Sequence, residues 1–161
     1  MYPQMNPYHV VIYRGGTSKG IFIRRNELPA DPKQRDAVIR AIFGSPDPRQ
    51  IDGLGGADVL TSKLAIIGPP SRADADVDYT FAQVSFDTDL VDFGGNCGNI
   101  SAAVGPYAID EGLVQAVEPV TRVRIHQTNT NCILEAEVAV RDGKPCVEGD
   151  YTIAGVPGSG S

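Results

Sequence analysis

Residues 94–105 read GGNCGNISAAVG, and the segment runs on as PYAIDEG to residue 112. One thiol, Cys97, lies among glycines and asparagines, and small apolar residues follow it. The pattern predicts a helix from just after Cys97 to about Glu111, with Gly112 as its stop. Ile100, Ala102, Ala103, Val104, Tyr107, Ala108 and Ile109 leave this helix little polar surface. A helix that is apolar on most sides is a buried one. Pro106 lies inside it, lacks an N–H and should kink it.

Outward from this segment the chain reads mostly as strands. Ile and Val number 29 against 7 Leu. β-Branched side chains are stiff at χ1 and pack well on a pleated sheet. YHVVIY (8–13) and IFIR (21–24) are expected to form a hairpin with GGTSKG (15–20) as its turn. Asp31-Pro32 opens a second helix, with Asp as N-cap and Pro at the first position, and Gly44 closes it. TSKLAIIG (61–68) reads as a short buried strand and VDYTFAQVSF (77–86) as a long one. TRVRIHQ, CILEAEVAV and CVEGDYTI follow as strands, with a turn at RDGK. The expected fold is α+β, a curled, mainly antiparallel sheet wrapped around the central helix.

The 161 residues suit one ordinary domain. Net charge is −6, with no basic tract, which argues against nucleic acid and anionic membranes as partners. No apolar run is long enough to span a bilayer. MYPQMNPYH has neither a basic start nor an apolar core, so it does not read as a signal peptide. Cys97, Cys132 and Cys146 are an odd set without framework spacing and read as reduced thiols of a cytoplasmic protein. His9 and His126 do not fall at metal-ligand spacing with them, so no metal is expected.

Two residues carry potential chemistry. Thiolate is the reactive form of cysteine, and unpaired N–H groups at a helix N-terminus favour it. The same N–H groups attract anions. Cys97 is therefore either a poised reagent or a buried structural cysteine. Lys63 opens an apolar strand, where partial burial would suit it to acid–base work. A solvated lysine at a strand end is the more ordinary reading. Ser62 beside it would point to the opposite face. GGTSKG has its Ser and Lys in the wrong order for a phosphate loop. It is a plain turn or a turn that offers donors to an anion. DGLGGAD (52–58) does not fit a dinucleotide fingerprint and reads as a backbone turn. Cys132 and Cys146 read as structural, and Arg14 as a surface residue.

Together, YRGGTSKG, GSPDPRQIDGLGGADVLTSKLAII, VDYTFAQV, GGNCGNISAAVGPYAI and IAGVPGSGS resemble the PrpF family. These are cofactor-independent isomerases with the diaminopimelate-epimerase-like fold. The resemblance runs from about residue 8 to the end. It implies that Cys97 and Lys63 are the catalytic residues. It also implies that Asn96, Gly98 and Asn99 present donors to a substrate carboxylate, and that Thr17 and Ser18 line the same cleft. The implied activity is a 1,3-proton shift on a small unsaturated di- or tricarboxylate, without metal, flavin or pyridoxal. Family members are roughly twice this length, so residues 1–161 are expected to be one domain, the N-terminal half only of a two-domain enzyme. A half exposed in this way would be open to homodimerisation. The alternative to catalysis is a polycarboxylate-binding accessory module or an inactive fragment.

Overall fold

The computed structural model describes residues 6–161. The first five residues of the N-terminal stretch read above for a signal peptide lie outside the described residues.

Among the described residues, eight strands form one sheet with an α-helix packed on each face. In chain order they are β1 (Val10–Gly15), β2 (Ser18–Arg24), α1 (Pro32–Phe43), β3 (Lys63–Gly68), β4 (Val77–Val84), β5 (Val91–Asp92), α2 (Gly98–Asp110), β6 (Val120–Gln127), β7 (Cys132–Arg141) and β8 (Lys144–Pro145). The spatial order is β1-β2-β3-β4-β6-β7-β8, with β5 beside β4. Neighbours run antiparallel except at β2–β3 and β4–β6. The first parallel pair is crossed over by α1 and the second by α2, as parallel neighbours require.

Alternation along the strands sends each face to one helix. Ile21, Ile23, Leu64 and Ile66 pack with Ile39 and Phe43 of α1. Phe22, Ala65, Ile67, Tyr79 and Phe81 face the α2 side. The α2 helix touches β1 and β2 as well as β6, β7 and β8, so the sheet curls around it. Ile100, Val104, Tyr107 and Ala108 are fully buried there. Each large apolar side chain so buried contributes roughly 1.5–3 kcal/mol. Gly105 lets the helix approach β7, since a Cβ there would lie 2.9 Å from both Ala136 Cβ and Val138 Cγ2. The helix runs continuously through Pro106 to Asp110, with Glu111 as its C-cap, and Gly112 takes the left-handed conformation at φ 69°.

The local signals at α1 agree with the structure. Asp31 accepts from the Gln34 N–H at 2.9 Å, Pro32 begins the helix, and Gly44 ends it at φ 80°. Two readings need correction. The β1–β2 turn is only Gly16 and Thr17, because Ser18, Lys19 and Gly20 already pair with β1. CVEGDYTI does not form a strand: β8 is Lys144–Pro145, and beyond it only Tyr151 bridges to Gly160. Gly149, Gly155, Gly158 and Gly160, with Pro157, lower the β preference of this tail.

Candidate active site

Cys97 is the N-cap of α2, with φ −140° and ψ 109°, and its side chain caps no N–H. The contrast with Asp31 on α1 is chemical, because a thiol is a weak acceptor. The first-turn N–H groups of an α-helix have no intrahelical partner. At α2 this open end is formed by Gly98 and Asn99, both exposed, with Asn96 exposed just before them. A Cβ placed on Gly98 would meet nothing within 4 Å.

Lys63 approaches from below. It is the first residue of β3 and sits on the face that carries Ala65 and Ile67 toward α2. Its Nζ donates to Cys97 Sγ across 3.2 Å. Lys63 is 9% exposed and Cys97 8%. Burial of an ammonium is costly without a partner, and here the partner is the sulfur. The contact lies at the edge of the interior, beneath the exposed lip of Asn96, Gly98 and Asn99. Lys63 is not the solvated strand-end lysine that its position made the ordinary reading.

The neighbours of Lys63 fix its place. Ser62 points to the other face, donates to the Val84 carbonyl at 2.7 Å and accepts from Gln50 Nε2 at 2.8 Å. Gln50 also donates to Ser45 Oγ and accepts from the Ala57 N–H, so one buried amide holds the 44–61 loop together. This is the use of DGLGGAD, a segment folded against Gln50. Gln83, paired opposite Lys63, donates to the Ser62 carbonyl at 2.9 Å. Neither glutamine stands out in the sequence, since a polar residue in a loop or strand gives no local sign of what it will bond.

The hairpin turn closes on the same helix end. Asn99 Nδ2 donates to Thr17 Oγ1 at 3.1 Å. A Cβ on Gly15 would collide with the Asn99 carbonyl oxygen, and one on Gly16 with its side-chain oxygen, so two glycines permit this approach. Ser18 is 1% exposed, and its hydroxyl has no hydrogen-bond partner among the described residues. Thus the seven candidates lie in one region: Cys97 and Lys63 in contact, Asn96, Gly98 and Asn99 at the rim, Thr17 against Asn99, and Ser18 in the next strand. Tyr79, also packed under α2, has a buried hydroxyl. Burial holds that phenol far above its usual range.

A concavity of about 550 Å³ runs beside α2 from Asn96 and Gly98 past Glu135 and Glu137 to Cys146. It reaches the rim but is not lined by Cys97 or Lys63. Its acidic far wall disfavours an anionic occupant, whereas the helix end favours one.

The other singled-out residues lie elsewhere. His126 is buried and shares Asp78 Oδ1 (2.9 Å), Ser71 Oγ (3.2 Å) and Asn131 Oδ1 (3.0 Å) as partners. Among the described residues, no group of three or more His, Cys, Asp or Glu is placed to hold a metal. Cys132 is exposed and Cys146 half-buried; all three cysteines are free. Exposure makes a packing role for Cys132 untenable. Arg14 is exposed.

A family model described as PrpF protein matches residues 5–161. The chain belongs to the PrpF family. The expectation of an N-terminal half only is thereby corrected, because the PrpF match takes in almost the whole chain. This PrpF chain is 68% identical to the 3-methylitaconate isomerase of Eubacterium barkeri, over 92% of its own length and 39% of the relative's. It is 55% identical to the 4-oxalomesaconate tautomerase of Pseudomonas putida, over 92% of the chain and 41% of that protein. The crystal structure of methylitaconate-delta-isomerase superposes with a TM-score of 0.94 at 66% identity, covering 96% of this chain and 69% of that one. The curled sheet around α2 is the diaminopimelate-epimerase-like architecture. The chain spans about two-fifths of the length of the curated relatives it matches.

Proposed function

We propose that these residues serve a cofactor-independent isomerase that moves a proton between two carbons of a small unsaturated di- or tricarboxylate. The observation that carries the reading is the 3.2 Å contact between Lys63 Nζ and Cys97 Sγ at an uncapped helix N-terminus. A carbon next to a carboxylate or ketone and across a C=C bond is a weak acid. One member of the Lys63–Cys97 pair takes its proton and leaves a dienolate. A proton is then returned two carbons away, which shifts the double bond and leaves the total proton count unchanged. Either residue can be the base, with its partner as the acid. Developing negative charge needs donors already in place. The N–H groups of Gly98 and Asn99 supply them, with Asn96 and Thr17 at the rim and the Ser18 hydroxyl below. The relatives' names, a methylitaconate isomerase and an oxalomesaconate tautomerase, support this substrate class.

The rim is open to solvent over Gly94, Gly95, Asn96, Gly98 and Asn99. Exclusion of water strengthens electrostatic catalysis, so a second wall over this face belongs to the proposal. It comes from chain outside these residues or from a second copy. Exposed Ile51, Leu54, Val59, Leu60 and Leu90 support self-association, which sedimentation measures. Three free thiols support a reducing, cytoplasmic setting. Among the described residues no helix is long and apolar enough to cross a membrane.

The test is proton exchange followed by NMR in D2O with methylitaconate and aconitate-type substrates. It is run on residues 1–161 and on a protein of the relatives' length that contains them. Deuterium uptake that vanishes in Cys97→Ser and Lys63→Met supports the reading. Saturable binding without exchange in either protein overturns it in favour of a binding module.

A further inference from the structure

We infer that Asn129 is a positioning residue for Cys97, an inference that rests on the isomerase reading above. The open edge of β4 is covered in three stages. β6 pairs with it from Val77 to Tyr79, and β5 pairs with Gln83 and Val84. Between them the Phe81 N–H and carbonyl have no strand opposite. The Asn129 side chain fills that gap. Its Oδ1 accepts from the Phe81 N–H at 2.8 Å, and its Nδ2 donates to the Phe81 carbonyl at 2.9 Å. The second Nδ2 proton goes to the Phe93 carbonyl at 2.9 Å. Gln127 Nε2 donates to the remaining Oδ1 site at 2.6 Å, while Gln127 Oε1 accepts from the Thr130 N–H and hydroxyl. Every hydrogen-bonding capacity of the Asn129 amide is used.

Phe93 is where the chain leaves the sheet for the thiol. Arg35 covers its ring at 4.4 Å. After it, Gly94, Gly95 and Asn96 are exposed, and a Cβ on Gly95 would touch nothing within 4 Å. Within these three residues the Gly94 N–H donates to Asp92 Oδ1 at 2.8 Å, and Gly95 and Asn96 lie beyond that bond. The segment is held by α2 on one side and, on the other, by the Asp92–Gly94 bond and the Asn129–Phe93 tether. Loss of the tether lets the loop shift the sulfur relative to the ammonium, and misplacement of about 1 Å costs roughly 100-fold in rate.

The experiment uses Asn129→Asp, which keeps the shape and the acceptor but loses both donations, alongside Asn129→Ala. Both are made with Cys132→Ser and Cys146→Ser so that only Cys97 reacts. Three quantities are read: the pH profile of Cys97 alkylation by iodoacetamide, and kcat and KM for proton exchange. The expected result is a shifted alkylation profile and a kcat lower by roughly 10- to 100-fold with KM little changed. Thr130→Val is the control, because it loosens the same loop without touching Phe93. An unchanged profile and kcat in Asn129→Asp overturn the inference, and so does an equal effect in Thr130→Val at matched stability. If Cys97→Ser turns over normally, the isomerase reading fails, while the alkylation profile still decides the role of Asn129. Should the variants not fold, the wild-type 15N spectrum decides the tether: two slowly exchanging Asn129 amide protons are expected, and rapid exchange of both overturns it.

Discussion

Lys63 Nζ lies 3.2 Å from Cys97 Sγ, although one begins a strand and the other caps a helix 34 residues later. The pair joins a buried lysine to the end of a helix whose first N–H groups are open. Its consequences separate activity from stability.

Cys97→Ser places a good N-cap residue where a poor one stands. Stability is expected to hold or to rise by up to about 1 kcal/mol. Proton exchange should fall by roughly 100- to 10,000-fold, the usual worth of a positioned acid or base. Lys63→Met should cause a similar loss of exchange with the melting temperature little changed, since an apolar chain of similar length fills the same buried space. NMR exchange rates and thermal melts check both. Wild-type turnover in either variant removes that residue from the chemistry.

Gly15→Ala tests the approach of the hairpin to α2. The added methyl group meets the Asn99 backbone carbonyl, which cannot rotate away. The expected cost is about 1–3 kcal/mol, with weaker substrate binding because Asn99 must move. Urea midpoints and KM report the two effects, and a fully stable variant would show that the hairpin yields freely.

Ser62→Ala removes the link between Gln50 and the Val84 carbonyl. A buried acceptor left without its donor costs about 1–3 kcal/mol. Since Ser62 adjoins Lys63, kcat should also fall, measured at a temperature where the variant is folded. Stability lost with kcat intact would confine Ser62 to the loop.

Asp76 gives a pH signature. Hydrogen bonds from the Arg124 side chain, against the pull of burial, hold its carboxyl below the ordinary 3.8. Its folded value is depressed, so its contribution is present in full above the unfolded value. It is lost as pH falls from about 3.8 toward the lower folded value. Asp78 acts in the same sense: burial raises it, but the Ser71 N–H, His126 and Arg25 outweigh burial. Urea midpoints of wild type and Asp76→Asn, measured from pH 7 to 3, should converge at the acid end. A constant gap across that range would contradict the assignment.

Much of this protein was legible residue by residue. Asp31-Pro32 and Gly44 marked α1, Gly112 marked the end of α2, and its apolar surface foretold a buried helix with a sheet around it. Such signals act over a few residues, through dihedral preference and the side-chain period, so the sequence carries them openly. In the tail from Cys146, Val147, Tyr151 and Ile153 are strand residues by type, but the fold offers this stretch a single bridge, Tyr151 to Gly160, and no ladder. Tertiary structure alone decided the parallel pairing of β2 with β3, the meeting of Lys63 with Cys97, and the work of Gln50 and Asn129. Those depend on which distant backbone groups are left without a partner once the chain has curled. An amide side chain reads the same in solvent as in such a gap, and only the fold says which it occupies.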